Sequence, residues 1–391
     1  MFNKVMSGED VESCCLTRNE ARATTDKMIR QGEKFFAGLA DYSKTSRYRN
    51  VLREPGEIDI IDIGNSISDV KIMASLSAKN CLTKSAKEEW GLIKRRCAQL
   101  IEMLYNAEEL VNSDETVYFI ELDRRGNGVL RSKHVHVGGL LRRELWDDKP
   151  SLLISATMTD GKDFQFIRSE TGIDGGVEII LESPFDFLRQ ALLAVPNIPE
   201  PNNLAYTDHL CRLVNYVVNE IGGRTLALFT SYSKMKAVKE TLACSDYRIL
   251  CQGDAPNSQL AKDFREDPNS VLLGTESFWT GIDIPGKSLS CVIIDRLPFT
   301  VPTDPVLIAM DKKLDGNSFM GFSVPAAVIQ LRQGVGRLIR RSTDFGVVVL
   351  ADRRLMTKRY GGIFLSSLPK MNFTQDATHI KLFMEERRAK Q

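Results

Sequence analysis

From Ser151 onward, short apolar runs rich in β-branched residues recur along the chain: "SLLIS", "VEIIL", "TLALF", "YRIL", "SVLLG", "SCVIID" and "GVVVLAD". Runs of this length, bounded by turn residues, read as strands buried on both faces. Helical patterns separate several of them. Residues 207–221 place Leu210, Leu213, Val214, Val217, Val218 and Ile221 on one stripe, and Gly222-Gly223 end it. Residues 233–243, 256–265 and 325–341 also read as helices. Strands alternating with helices predict an α/β fold, a parallel sheet with helices on both faces. The Pro-rich "VPNIPEPNN" at 195–203 is a break and a candidate hinge.

Before residue 150 the pattern is mainly helical. Residues 17–44 are rich in helix formers, with Thr17 and Glu20 spaced as a capping box. Residues 86–111 carry Trp90, Ile93, Cys97, Leu100 and Ile101 at helical spacing. "TVYFIELDRRGNGVLRSKHVHVGG" then reads as two strands around a Gly-Asn-Gly turn.

Lys and Arg number 52 against 51 Asp and Glu in 391 residues, so any nucleic-acid site is a local patch and not a global basic field. No apolar run reaches the length of a membrane span, and the acidic "MFNKVMSGEDVES" lacks a signal-peptide core. The expected compartment is the cytoplasm. The eight cysteines form no C-x-x-C pair, and they read as buried reduced thiols. His134, His136, His209 and His379 are scattered, so no metal site is expected.

"GIDIPGKS" (281–288) fits the phosphate-binding pattern G-x-x-x-x-G-K-(S/T). A working P-loop lies between a strand and a helix, whose bare N–H groups face the phosphates. Here a polar and aromatic loop, "GTESFWT", precedes Gly281. The apolar "LSCVIIDRLPF" follows Ser288 and reads as a strand ending at Asp295. A parallel crossover needs a dozen or more residues, so that strand does not supply a Mg²⁺ carboxylate to the loop.

The stretch instead resembles motif V of the DinG/XPD branch of superfamily 2 helicases, through "LLGTESFWTGIDIPGKSLSCVIIDRLPFTVPTDP" (272–305). Other motifs stand in order. "LLISATM" is similar to motif III, "RTLALFTSYSKM" to motif IV and "LRQGVGRLIRRSTDFGVVVLADRR" to motif VI. The DinG side fits better than XPD. Members have two RecA-like motor domains with ATP between them. The first carries the P-loop, the D-E-A-H box and, in many, four iron–sulfur cysteines; none of these motifs is in this chain. The resemblance therefore implies a helical Arch-like remnant over 1–115, the last strands of motor domain 1 over 116–170, and RecA-like motor domain 2 over 180–391. ATP and Mg²⁺ would be held mainly by a motor domain 1 outside this chain, in cis or on a separate polypeptide, and no iron–sulfur cluster is expected here.

Residue roles follow from the same resemblance. Arg337 and Arg340, three apart on a predicted helix, would be arginine fingers. A guanidinium is planar, permanently charged and bidentate, so it suits a γ-phosphate. Gln333 would sit a turn earlier near nucleotide, and Gly336, with Gly334, would permit close backbone approach. Gly281 and Asp283 would contact nucleotide and motif VI; Asp283 equally suits a turn cap before Pro285. Thr275 and Ser277, and Thr230, Ser231 and Tyr232, follow strand ends and would contact single-stranded DNA, Tyr232 by stacking on a base. Helix capping serves Thr230 and Ser231 as well. Phe278 and Trp279 could stack on bases, but core packing is the stronger reading. Ser155, Ala156 and Thr157 would relay between the ATP and DNA sites.

The expected function is the C-terminal half of an ATP-dependent DNA helicase that does not hydrolyse ATP alone. The alternative is an ATP-independent module, derived from a helicase, that binds single-stranded nucleic acid or docks a partner.

Overall fold

Alternating burial along the apolar runs decides the architecture. In the strand Cys291–Ile294, Val292 and Ile294 face one core, while Cys291 and Ile293 face another. The strands inside the sheet thus contribute side chains to two apolar layers, as a sheet covered on both faces requires. The computed structural model describes residues 18–45, 51–81, 83–111, 114–123, 125–147, 149–242, 246–279 and 289–389. Two compact units divide the chain: Met1–Val137 with Val301–Gly316, and Gly138–Thr300 with Asn317–Gln391.

The first unit packs helices α1 (Arg18–Thr45), α2 (Ile61–Asn80) and α3 (Lys84–Glu108) with the hairpin β1 (Thr116–Leu122) and β2 (Gly128–His134). Its core gathers Leu39, Ile67, Val70, Trp90, Ile93, Cys97, Leu104 and Ile120. The predicted capping residue Thr17 lies outside the described residues. Leu100, predicted on the buried stripe of α3, is 44% exposed. The stripe instead runs on through Leu104 and Ala107. Sequence reading missed α2, although Ile63, Ile67, Val70 and Ala74 recur at helical spacing and are buried. Buried Ser66 and Ser77 obscure that stripe. Contacts divide the chain after Val137, so the hairpin packs with the helices and not with the strands that follow it.

The second unit is built on seven parallel strands: β3 (Ala191–Ala194), β4 (Thr225–Leu228), β5 (Arg248–Cys251), β6 (Ser270–Gly274), β7 (Cys291–Ile294), β8 (Gly346–Leu350) and β9 (Asn372–Thr374). Their order is β5-β6-β4-β7-β8-β3-β9 and every pair is parallel. The fold is thus the expected parallel sheet with helices on both faces. Helices α4 (Tyr206–Ile221), α5 (Tyr232–Leu242) and, at the C-terminal end, Thr378–Arg388 supply apolar residues to one face. Helix α6 (Asn257–Glu266), the short α7 (Glu276–Trp279) and α8 (Val324–Val335) cover the other. Helix α4 ends as read, with Gly222 in the left-handed region at φ 78°.

Three sequence expectations need correction. "SLLIS" and "VEIIL" are not strands. Leu152, Ile154, Val177 and Leu181 are all more than 80% exposed, and neither run joins a sheet. A strand persists only where neighbouring backbone pairs with it, and none of the described strands pairs with these runs. The helix predicted over 325–341 stops at Val335. Gly334 and Gly336 weaken its last turn, and Asp344 takes the N–H groups of Arg340 and Arg341, both at 2.9 Å, outside any helix.

The carboxyl ends of β7 and β8 carry buried polar ties. Asp295 is 1% exposed and accepts from the N–H groups of Thr230 at 3.0 Å and Arg296 at 2.8 Å. Asp352 accepts from Leu297 N at 2.8 Å and from the Arg354 guanidinium at 2.6 Å. The fully buried Tyr206 hydroxyl donates to the Asp295 carbonyl and lies 3.2 Å from the Ala351 carbonyl. These bonds fix the loops that leave the sheet toward its polar edge.

Tyr206→Phe leaves those two carbonyls without their donor and is expected to cost about 1–2 kcal/mol in denaturant unfolding with the fold intact. Burial pushes the Asp295 carboxyl up to about 7, against the pull of Arg296 and the two N–H groups. A raised folded-state value means the native chain holds a proton that the unfolded chain releases between about pH 4 and 7. Asp295 therefore contributes stability below that window and loses it as pH rises through 7, by on the order of 4 kcal/mol. Asp295→Asn should flatten this component. A melting temperature whose pH profile between 4 and 8 is the same in both chains refutes it.

Candidate nucleic-acid and nucleotide-coupling site

Ligands of parallel sheets bind beyond the carboxyl ends of the strands. The candidate residues lie there because each follows a strand end. Thr230, Ser231 and Tyr232 follow β4, and Thr275 and Ser277 follow β6. The register sets Cys251 of β5 beside Leu273 of β6, so Gln252, just past β5, reaches Thr275.

Gln252 joins the candidates. Its Oε1 accepts from Thr275 N at 2.6 Å and Thr275 Oγ1 at 2.9 Å. Its Nε2 donates to the Tyr232 hydroxyl at 2.8 Å and to Ser277 Oγ at 3.0 Å. Asn257 Nδ2 donates to the same Ser277 oxygen at 3.0 Å. Thr275 is buried, whereas Ser277 and Tyr232 are exposed, the latter by 54%. Sequence reading did not select Gln252 or Asn257. A glutamine after a strand carries no signal of its own, and only the strand pairing shows what its amide reaches.

Thr230 and Ser231 do not share this network. Thr230 bonds Asp295 through its N–H, and its Oγ1 accepts from the Arg296 side chain. The Ser231 carbonyl accepts from Met235 N at 3.1 Å at the start of α5, and its hydroxyl pairs with that of Ser233 at 2.8 Å. Asp295, which the sequence reading excluded as a Mg²⁺ carboxylate for Gly281–Ser288, anchors the loop after β4.

On the C-terminal side of Gly281–Ser288 the predicted strand is present, whereas the predicted loop before it contains a short helix. The short helix α7 precedes Thr280, and β7 begins two residues after Leu289. No helix follows Lys287-Ser288, so the P-loop geometry is ruled out. Gly281 and Asp283 lie outside the described residues. Phe278 and Trp279 are core, at 0% and 1% exposure.

Arg337 and Arg340 fall beyond the end of α8, not on one helix face. Arg337 is 6% exposed, and its guanidinium donates to the Trp279 carbonyl. Arg340 is half-buried, with its backbone N–H on Asp344. Gln333 is half-buried in the last turn of α8, and Gly336 is the exposed residue at its end. Close approach occurs instead at Gly334, where a Cβ would stand 3.2 Å from the Trp279 ring and 3.3 Å from Ile294. The glycine thus lets α8 lie against Trp279.

Ser155, Ala156 and Thr157 form a turn, with Thr157 N donating to Ser155 Oγ at 3.1 Å. Four residues after Ser155, Thr159 accepts from Arg332 of α8 through its carbonyl at 2.6 Å and its hydroxyl at 2.9 Å. Arg332 therefore ties this segment to the helix that leads to Arg337. Among the described residues, Cys97, Cys211, Cys251 and Cys291 are buried free thiols, and no helix is long and apolar enough to cross a membrane.

Comparison with known proteins bears on the fold and family of this region. Residues 214–371 match the helicase C-terminal domain family. The ATP-dependent DNA helicase YoaA of Haemophilus influenzae is 40% identical over 241 residues, 60% of this chain and 38% of the relative. The ATP-dependent helicase DinG of Mycobacterium tuberculosis is 36% identical over 263 residues, 65% of this chain and 40% of the relative. The chain thus spans about two fifths of the length of these relatives. A solved XPD helicase superposes with a TM-score of 0.55 at 14% identity, covering 95% of this chain and 64% of that one. Residues 214–371 thus match a helicase C-terminal domain, and the chain is homologous to YoaA and DinG and shares its fold with XPD.

Proposed function

We propose that this chain supplies the second motor half of an ATP-dependent DNA helicase, contacting single-stranded DNA and the nucleotide held by a motor domain 1 in cis or on a separate polypeptide. One observation carries the reading. The segment Thr275–Trp279 is bonded at one end to the DNA-facing candidates through Gln252, and at the other to motif VI through Arg337. A rigid segment that touches both groups can move one when the other is engaged.

The residues present fit the nucleotide in part. Bound ATP with Mg²⁺ would supply the free energy of phosphate-anhydride hydrolysis to domain closure. Arg340, half-buried beyond α8, is the residue placed to act as an arginine finger, stabilising charge on the transferred phosphoryl group. Arg337 acts through its bond to the Trp279 carbonyl and positions α7 against the end of α8. Gln333, in the last turn of α8, would contact the nucleotide together with Gly281 and Asp283, as the motif resemblance implies. Thr157, Ala156 and Ser155 connect through Thr159 and Arg332 to α8 and carry the coupling. The strand ends after β4 and β6 hold the DNA backbone.

The burial of Arg337 favours the second reading, an ATP-independent single-strand-binding or docking module, to the extent that this arginine already has a structural partner. ATPase assays separate the two. The chain alone should show no DNA-stimulated hydrolysis. Addition of a motor domain 1 carrying the G-x-G-K-T and D-E-A-H motifs should restore it, and Arg340→Ala should then lower turnover by about 10³-fold. Hydrolysis by the isolated chain contradicts the incomplete-site reading. Single-strand affinity with no ATP effect beside motor domain 1 selects the module.

A further inference from the structure

The Gln252 network fixes the direction of two hydroxyl protons. A backbone N–H can only donate, so the Gln252 atom 2.6 Å from Thr275 N is the amide oxygen. Its nitrogen therefore faces Tyr232 and Ser277, and its two protons are spent on their oxygens. Both hydroxyls must accept from it. Ser277 Oγ accepts a second time, from Asn257 Nδ2, which uses both of its lone pairs. The remaining capacity of Ser277 is one O–H donor, and Tyr232 keeps its O–H as well. Neither proton meets an acceptor among the described residues, and both side chains are exposed.

We propose that Gln252 and Asn257 are positioning residues that turn the Tyr232 and Ser277 hydroxyls outward as a donor pair for the phosphodiester oxygens of single-stranded DNA. The inference rests on the nucleic-acid reading above and sharpens it. A non-bridging phosphate oxygen only accepts, and so complements a surface that has O–H groups to give. Both hydroxyls lie within hydrogen-bond reach of one nitrogen, so a single phosphate can span them. Tyr232 then acts through its hydroxyl and not by stacking its ring. Contacts of this kind hold the strand without reading its sequence.

Binding of a labelled oligo-dT strand to the full chain, followed by fluorescence anisotropy across a salt series, tests this. Tyr232→Phe and Ser277→Ala should each weaken binding about fivefold. The slope of affinity against salt should stay unchanged, because a neutral donor displaces no counterion. Gln252→Glu keeps an acceptor for Thr275 but replaces the nitrogen with an oxygen, so both hydroxyls turn inward. It should weaken binding by about tenfold or more. In a chain already carrying Tyr232→Phe and Ser277→Ala, Gln252→Glu should cost markedly less, since the groups it orients are gone. Full affinity in Tyr232→Phe returns that residue to a stacking role and overturns the proposal. So does a Gln252→Glu cost that is the same in both backgrounds. If the wild-type chain does not bind the strand, the nucleic-acid reading fails and takes this inference with it. The two surface hydroxyl variants keep the test decisive if Gln252→Glu lowers the melting temperature.

Discussion

Parallel strands buried on both faces put the polar chemistry of this sheet at the edge formed by their carboxyl ends. Each core strand residue is committed to one of two apolar layers. Buried backbone must be paired, and the strands pair one another across the sheet. Where the strands end, the pairing must be continued by other groups. Asp295 and Asp352 do this after β7 and β8, taking the N–H groups of Thr230, Arg296 and Leu297. Gln252 does it after β5, taking the N–H of Thr275. The same three side chains that close the sheet therefore also define the loops of the candidate site.

This dual duty separates residues that hold the edge from residues that face outward. Asp295 is enclosed, and its carboxyl lies high because burial outweighs Arg296 and the N–H donors. Tyr206 is enclosed beside it, and burial with the Asp295 charge raises its hydroxyl. Neither is placed to meet a ligand. Tyr232 and Ser277, one bond away from Gln252, are exposed. Arg337 belongs with the enclosed set and Arg340 with the outer one. Three residues of sequence separation do not place two side chains on one surface once the helix has ended between Val335 and Arg337.

The strands from β4 to β8 were legible because their runs are largely apolar, whereas β3 and the short, mostly exposed edge strand β9 were not read as strands. The same rule misread "SLLIS" and "VEIIL", whose composition is equally apolar but whose backbone has no paired neighbour. Pairing is a property of two segments, and one run of residues does not contain it. The P-loop match failed for a reason visible in the sequence, the strand that begins almost at once after Ser288. Gln252 and Asn257 were invisible for the converse reason. Their partners stand 23 and 20 residues away, and the β5–β6 register is what brings them together. The motif resemblance found Thr275, Ser277 and Tyr232, but it could not say which atoms each had left to offer.

The segment from Thr275 to Trp279 shows why such accounting bears on mechanism. It is five residues long and is held at four points: Thr275 and Ser277 by Gln252, the Trp279 indole by the Phe229 carbonyl at 3.4 Å, and the Trp279 carbonyl by Arg337. Gly334 brings α8 directly onto the indole ring. A segment pinned this way has little freedom to adjust locally. Coupling across it would need two arrangements of a packed element, and the candidate for that element is the contact between α7 and the end of α8, which one buried arginine and one glycine hold together.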